Sequence, residues 1–187
     1  MTSDGSNARL TTDQLLGLVQ GVNRVLEHAL ACVSEEDLAQ ECLVVAEQLT
    51  GSELGFVGEV RPSGTVDVVA LSDGCWKACN VPKHQAMETL KSLSPRGLFG
   101  KTIADQAPLI ANQPSEHPDS AGLPPGHPPI AAFLEVPLRQ AGRIVGVIGL
   151  ANKPGGYTAA DAEILQSLGG AYIAALMRKR AEAEIRQ

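Results

Sequence analysis

The chain has little of what nucleic-acid binding requires. Its 187 residues include 15 Lys and Arg against 21 Asp and Glu, which gives a formal net charge of −6. Neutralising phosphates needs a clustered basic face, but the one dense basic run, at 178–180, is followed closely by Glu182 and Glu184. Such a mixture of signs is typical of a solvated helix face. We therefore expect no nucleic-acid partner.

Long apolar runs are also missing. The longest, such as residues 144–151, fall far short of the roughly 20 residues that a bilayer span needs. The N-terminus shows neither the basic segment nor the apolar stretch of a signal peptide. Residues 1–10 are polar and small, which predicts a disordered start. The sequence thus predicts a cytoplasmic protein without a membrane partner.

Cysteine is scarce. Four residues, Cys32, Cys42, Cys75 and Cys79, are too few for a disulfide scaffold, and a reducing cytoplasm would keep them as thiols. Cys32 and Cys42 fall on apolar helical stripes, so we expect both to pack in the core. Cys75 and Cys79 flank the only tryptophan, Trp76, in the stretch DGCWKAC at 73–79, and this pair needs a separate interpretation.

The apolar pattern predicts an α+β domain with a central antiparallel sheet. Two helices come first: one opens at Thr11 with the form of a capping box to Gln14, and the other is capped by Ser34 and closed by Gly51. Strands are predicted in a hairpin at 55–60 and 65–71, at 108–112, and in a second hairpin at 132–139 and 143–152. Short helices are predicted at 83–93 and 98–105, a proline-rich loop at 115–130, and a long helix from Thr158 onward. The terminal helices would cover one face of the sheet, and the loops and short helices would form a lid over a pocket on the other.

The strand at 132–139 has two different faces. Leu134, Val136 and Leu138 share one face, and Phe133, Glu135, Pro137 and Arg139 share the other. The second set would look outward into a cavity or solvent. Proline in a strand indicates an edge or a bulge.

The run FLEVPLRQAGRIVGVIGLANKPGGYTAADAEILQSLGGAYIAAL, with RGLFGKTIADQAPLIANQPSEHPD before it, resembles a GAF domain. The resemblance extends from about Ser34 to Ala175. It implies a small-molecule sensor or regulatory module, dimerising through its terminal helices and placed with an output domain such as a histidine kinase or a cyclic-dinucleotide enzyme. We assign residues 11–175 to one GAF-like domain and 176–187 to a C-terminal signalling-helix extension.

Asn152 and Lys153, followed by Tyr157 and Asp161, resemble the motif of cyclic-nucleotide-binding GAF domains, but Ala162 stands where that motif has Glu. We interpret these four residues as structural. Lys153 at a strand end can reach Asp161 in the first turn of the next helix and hold the intervening turn.

The DGCWKAC stretch leaves several alternatives open. A zinc site would need four ligands, and His84, His117 and His127 show no second close pair. Asp73–Trp76 is similar to a motif of bilin-binding GAF domains, but those also need Cys-His in a later helix. Haem ligation by a histidine is a further alternative. A GAF-type methionine sulfoxide reductase is another alternative. The paired cysteines of those enzymes lie near the glycine-rich loop and the lid, where this sequence has none. We favour packing of Cys75, Trp76 and Cys79 in the wall of a pocket.

The expected function is a non-catalytic sensory domain that binds an unidentified small molecule. The alternatives are a haem- or bilin-containing light, gas or redox sensor and, third, a methionine sulfoxide reductase-like enzyme. No cofactor or metal is assigned. The predicted ligand-binding residues are Ser72, Cys75, Trp76, Cys79, Phe99, Asn112, Phe133 and Glu135.

A homodimer through the first and last helices is the predicted assembly. Residues spaced by seven along the last helix, with others between them, form a heptad-like seam that becomes charged toward its end: Ile164, Leu168, Ala171, Ala175, Arg178, Glu182 and Ile185. A helix packed only on its own sheet is the alternative interpretation. The first helix offers a second long apolar stripe beside it.

Overall fold

The computed structural model describes residues 9–78, 88–123 and 125–186. Its helices are α1 (Thr12–Ala31), α2 (Glu35–Thr50), α3 (Asp73–Ala78), α4 (Gly97–Asp105) and α5 (Ala159–Ile185), with a 3₁₀ turn at Pro114–Glu116. Its strands are β1 (Leu54–Val60), β2 (Val66–Leu71), β3 (Leu109–Ala111), β4 (Phe133–Gln140) and β5 (Arg143–Ala151). Within the described ranges, no helix combines the length and apolarity needed to traverse a bilayer.

Capping residues define where the three long helices begin. Thr11, Ser34 and Thr158 each accept a hydrogen bond from a backbone N–H three residues later, and the side chain of that later residue accepts one in return. This reciprocal arrangement satisfies backbone groups that a helix N-terminus leaves unpaired. The helix α2 ends at Gly51 with φ of 72°, a left-handed conformation that favours glycine.

The five strands form one antiparallel sheet in the order β2-β1-β5-β4-β3. Strand β3 pairs with β4 only over residues 133–135. At Pro137, the edge of β4 that faces away from β5 therefore has no partner in β3. The register between β4 and β5 also shifts between Leu138 and Arg139. A proline has no N–H to give to a ladder, and both features confirm the predicted edge or bulge.

The two faces of the sheet carry different layers. Leu134, Val136 and Leu138 of β4 point to the face covered by α2 and α5, where they join the main apolar core, and α1 packs on the outside of these two helices. Glu135 and its strand partners Gly149 and Leu109 lie on the opposite face, against which α4 packs. The α+β architecture with terminal helices on one face and a short lid helix on the other is therefore confirmed.

The helix predicted at 83–93 is wrong in part. Residues 83–87 of the predicted helix at 83–93 lie outside the described residues. Glu88 and Thr89 are helical, but Leu93 forms a β-bridge in which its N–H and C=O both pair with Val66 at 2.8 Å. The exposed backbone edge of β2 provides these partners, so the chain leaves the helix before Leu93.

The last helix α5 packs on its own domain over most of its length. Ile164 is 2% exposed, Leu168 is 0% exposed and Ala175 is 6% exposed. The predicted seam is therefore not available to a second chain over this half of the helix. The alternative interpretation, a helix packed on its own sheet, accounts for these residues.

Candidate functional site

The most unusual side chain on the lid face is Glu135. It is the third residue of β4, is 0% exposed, and neither of its carboxyl oxygens has a hydrogen bond of regular geometry to a described residue, the Thr102 hydroxyl being its one polar neighbour. Burial raises the pKa of this carboxyl well above its usual range, because removal from water disfavours the charged form. A buried polar group without a partner is costly, so its position calls for a functional explanation.

Thr102 of α4 lies directly beside this carboxyl. Its side chain is also 0% exposed, and its hydroxyl has no well-formed hydrogen bond to any described group. The hydroxyl lowers the pKa of Glu135, against the larger effect of burial. The described structure thus contains three buried polar oxygens close together and without regular partners.

Two aromatic side chains, Phe56 and Phe99, also lie on this face of the sheet. Phe99 lies one turn before Thr102 on α4, and its ring centroid is 5.6 Å from that of Phe56 on β1, with the ring planes at 47°. The ring of Phe56 crosses Gly149, the strand partner of Glu135. A Cβ on Gly149 would lie 2.2 Å from Phe56 Cε1, so only glycine permits this approach. We call the group of Phe56, Phe99, Thr102, Glu135 and Gly149 the Glu135 site.

Ser72 and Cys75 belong to a second group, at the end of β2. Ser72 is 1% exposed, and its Oγ accepts hydrogen bonds from the N–H groups of Gly55 at 3.0 Å and Cys75 at 3.3 Å. Burial raises the pKa of the Cys75 thiol, which favours the unreactive thiol over the nucleophilic thiolate. Trp76 is half-buried on the same helix, α3. Cys79 lies outside the described residues.

Glu47 of α2 lies against this second group. Its Oε1 is buried without a hydrogen-bond partner among the described residues. Burial raises the pKa of Glu47 from 4.5 to about 7, while the Ser72 hydroxyl lowers it and the negative charge of Asp73 raises it. Glu47 therefore changes charge close to neutral pH.

Asn112 and Phe133 have separate positions. The Asn112 amide clamps the backbone of Tyr157: its Oδ1 accepts from the Tyr157 N–H at 2.7 Å, and its Nδ2 donates to the Tyr157 carbonyl at 3.0 Å. Phe133 is half-buried at the start of β4, opposite Ala111 and Ala151.

The four residues interpreted as structural surround the turn between β5 and α5. Lys153 Nζ lies 2.6 Å from Asp161 Oδ1, and Asp161 also accepts from the N–H and hydroxyl of Thr158. Asn152, at φ of 63°, accepts from the Ala131 N–H and donates to the Pro129 carbonyl. The Tyr157 hydroxyl is 2.8 Å from Ser52 Oγ.

The lid histidines make local contacts. His117 Nδ1 accepts from the Asp119 N–H at 3.1 Å, and His127 Nδ1 lies 2.7 Å from the Pro128 carbonyl. His84 lies outside the described residues. Within the described ranges there is no group of three His, Cys, Asp or Glu side chains arranged to hold a metal ion.

Of the eight predicted ligand-binding residues, the structure therefore brings Phe99 and Glu135 into one site, and Ser72 and Cys75 into another. No sequence pattern indicated Phe56, Thr102 or Gly149 as site residues, and none indicated Glu47. The alternation of β4 placed Glu135 on the lid face, but only the packing of α4 shows that Thr102 reaches the carboxyl.

A family comparison accounts for this architecture. The sequence profile of the GAF domain matches residues 32–177, most of the chain. The chain belongs to the GAF domain family. This GAF domain is 29% identical over 143 residues to a methyl sulfide methyltransferase-associated sensor of Methanosarcina acetivorans. The match covers 75% of the chain but 14% of that sensor, so the chain corresponds to one small part of it.

Solved structures share the fold at low sequence identity. The GAF domain of a phosphoenolpyruvate-protein phosphotransferase from Coxiella burnetii aligns with a TM-score of 0.74 at 14% identity, covering 90% of this chain and 98% of that one. Free methionine-R-sulfoxide reductase from Neisseria meningitidis aligns at 0.68 and 14%, covering 93% and 96%. A domain described as part of a two-component sensor histidine kinase from Sinorhizobium meliloti aligns at 0.59 and 16%, covering 83% and 99%. Identities this low show a common fold alone.

Proposed function

We propose that this GAF domain is a non-catalytic sensor that binds a small molecule between the sheet and α4. The observation that carries the proposal is the Glu135 site, where a fully buried carboxyl and a buried hydroxyl lack regular partners under a single short helix. Polar groups that converge within an apolar, aromatic-lined site are typical of small-molecule binding. Since the carboxyl has no access to solvent, the ligand enters when α4 moves off the sheet.

The cysteines do not support catalysis in this proposal. A thiol whose pKa is raised by burial, as at Cys75, is a poor nucleophile. The relative from Methanosarcina acetivorans is named as a sensor, which supports a regulatory role. The proposal includes a cytoplasmic location and an output domain of the histidine-kinase or cyclic-dinucleotide type.

Charged contacts provide a route from the sheet to the C-terminal helix. Arg180 of α5 pairs with Glu35 of α2 at 2.6 Å and with Glu59 of β1 at 3.1 Å. Arg61 pairs with Glu59 at 3.4 Å and with Asp67 of β2 at 2.7 Å. Ligand-dependent movement of the sheet or its edge would reach α5 through these pairs, and α5 would pass it to the output domain.

A metabolite screen by thermal unfolding tests the proposed binding. We expect at least one small molecule to raise the Tm of the wild-type chain, because a ligand that binds only the folded state stabilises it. Thr102→Leu, which replaces the buried hydroxyl with a larger apolar side chain, should lose the response. Ala104→Leu, on the exposed side of the same helix, should keep it. A screen without stabilising compounds, or equal responses from both variants, would contradict the proposal.

A further inference from the structure

The Glu135 site also indicates the chemical class of its ligand, and this inference rests on the proposed function. The site contains three polar oxygens, two from the carboxyl of Glu135 and one from Thr102, all buried and without regular hydrogen-bond partners among the described residues. Carboxylate oxygens only accept hydrogen bonds, and a threonine hydroxyl can accept as well as donate. An occupant that pairs with the ionised carboxylate must therefore bring donors.

The five residues of the Glu135 site include an acidic side chain and no basic one. Burial raises the pKa of Glu135, and the Thr102 hydroxyl lowers it by a smaller amount. No described cationic side chain pairs with the Glu135 carboxyl. An anionic ligand would lose its hydration there without gaining a counter-charge, which is strongly unfavourable. A cation would supply the missing counter-charge.

The aromatic and apolar residues near Glu135 indicate the chemistry of the rest of the ligand. The ring of Phe56 lies over Gly149, the strand neighbour of Glu135, and its centroid is 5.6 Å from that of Phe99. The two rings offer apolar contact and faces that attract a cation. Gly149 and Leu109, the strand partners of Glu135, add no polar side chain. The site thus fits a charged head with an apolar body.

We propose that this GAF domain recognises a small primary amine in its protonated form, with the ammonium group held by Glu135 and Thr102 and the carbon skeleton against Phe56 and Phe99. An ammonium group has three N–H donors and carries the positive charge that the carboxylate lacks. Burial raises the pKa of Glu135, so the carboxyl keeps its proton more readily than an ordinary glutamate. Binding of the ammonium ion then expels that proton to solvent, and the complex contains one carboxylate and one ammonium.

The test uses benzylammonium as the probe, with benzyl alcohol and phenylacetate as its neutral and anionic counterparts. Titration calorimetry on the whole chain should show saturable binding of benzylammonium and neither counterpart. Repeating the titration in buffers of different ionisation enthalpy, between pH 5 and pH 8, should show proton release on binding. Glu135→Gln should weaken binding at least about tenfold, since removing one partner of a buried charge pair costs more than that ratio. Glu163→Gln, at an exposed position on α5, should bind as the wild type does.

Several results would overturn the inference. They are equal binding by Glu135→Gln, binding of benzyl alcohol or phenylacetate as strong as that of benzylammonium, and failure of benzylammonium to bind at all. Thr102→Val provides a second variant if Glu135→Gln does not fold, and it should also bind the probe more weakly. A neutral or anionic metabolite that stabilises the wild type and not Thr102→Leu would uphold the proposed function while overturning this ligand class.

Discussion

Glu135 shows how one residue can be retained at a cost to stability. A fully buried carboxyl without a hydrogen bond of regular geometry lowers the stability of the domain, because a poorly satisfied buried group loses its hydration without full replacement. Natural domains retain such groups where function needs them. A functional role for Glu135 therefore predicts that the empty protein gains stability when the charge is removed.

The variant Glu135→Gln tests this cost. We expect the free energy of unfolding of the ligand-free chain to rise by about 1–3 kcal/mol at pH 8, the range for an unsatisfied buried group. Urea unfolding measures the change, and Glu163→Gln should alter stability by less than about 0.5 kcal/mol, as exposed substitutions do. A loss of stability in Glu135→Gln would mean that the carboxylate already has a stabilising partner within the chain.

Glu47 predicts a pH dependence of stability. Its pKa in the folded chain is raised from 4.5 to about 7, mainly by burial, so the folded state binds more protons than the unfolded state between these values. Stability therefore falls as the pH rises through this window, and the contribution of Glu47 is constant outside it. Urea midpoints measured from pH 4 to pH 8 should show a shallower decline in Glu47→Gln. An unchanged slope would contradict the assignment of this titration to Glu47.

At the scale of elements, the lid face depends on how closely β1 and β5 approach each other. Gly149→Ala would place a Cβ 2.2 Å from the Phe56 ring, and we expect a loss of about 1–3 kcal/mol from overpacking. The matched change Gly170→Ala meets nothing within 4 Å on α5. It should stabilise the helix by about 0.5–1 kcal/mol. Thermal unfolding of both variants gives the comparison, and a neutral Gly149→Ala would show that Phe56 moves freely.

The sequence predicted the elements whose signals are local. Alternation in β4 separated Leu134 from Glu135, and the capping residues at Thr11 and Ser34 marked two helix starts. It did not predict that residues 73–78 form a helix, since glycine and a short length hide the pattern. It also could not place Thr102 beside Glu135, because the two residues are distant in sequence and meet only through the packing of α4.

At the scale of the whole molecule, the exposed side of α1 is the surface that supports a dimer. Six large apolar residues of α1 and its C-terminal end are at least 41% exposed: Leu15, Leu16, Val19, Leu26, Leu30 and Val33. A groove of about 240 Å³ between α1 and α5 lies beside them, lined in part by Leu26, Leu30 and Arg178. An apolar stripe of this extent on a terminal helix is typical of an interaction surface, so a second copy is the proposed partner.

Light scattering tests the proposed dimer. We expect the wild-type chain at high micromolar concentration to have twice the mass of one chain. Leu30→Glu should be monomeric, because it places a charge within the apolar surface, and Gln20→Glu, elsewhere on α1 and exposed, should stay dimeric. A wild-type chain that is monomeric under these conditions contradicts the dimer.

The central claim is that a small molecule binds on the sheet face beneath α4. The most direct measurement is the amide ¹H–¹⁵N spectrum of the chain, recorded with and without the strongest stabilising compound from the metabolite screen. Our account predicts that the largest shifts occur at Thr102, Glu135 and Gly149, with smaller shifts along α5. Shifts confined to α1 and α5, or to the Ser72 and Cys75 group, with the amides of the Glu135 site unchanged, would contradict it.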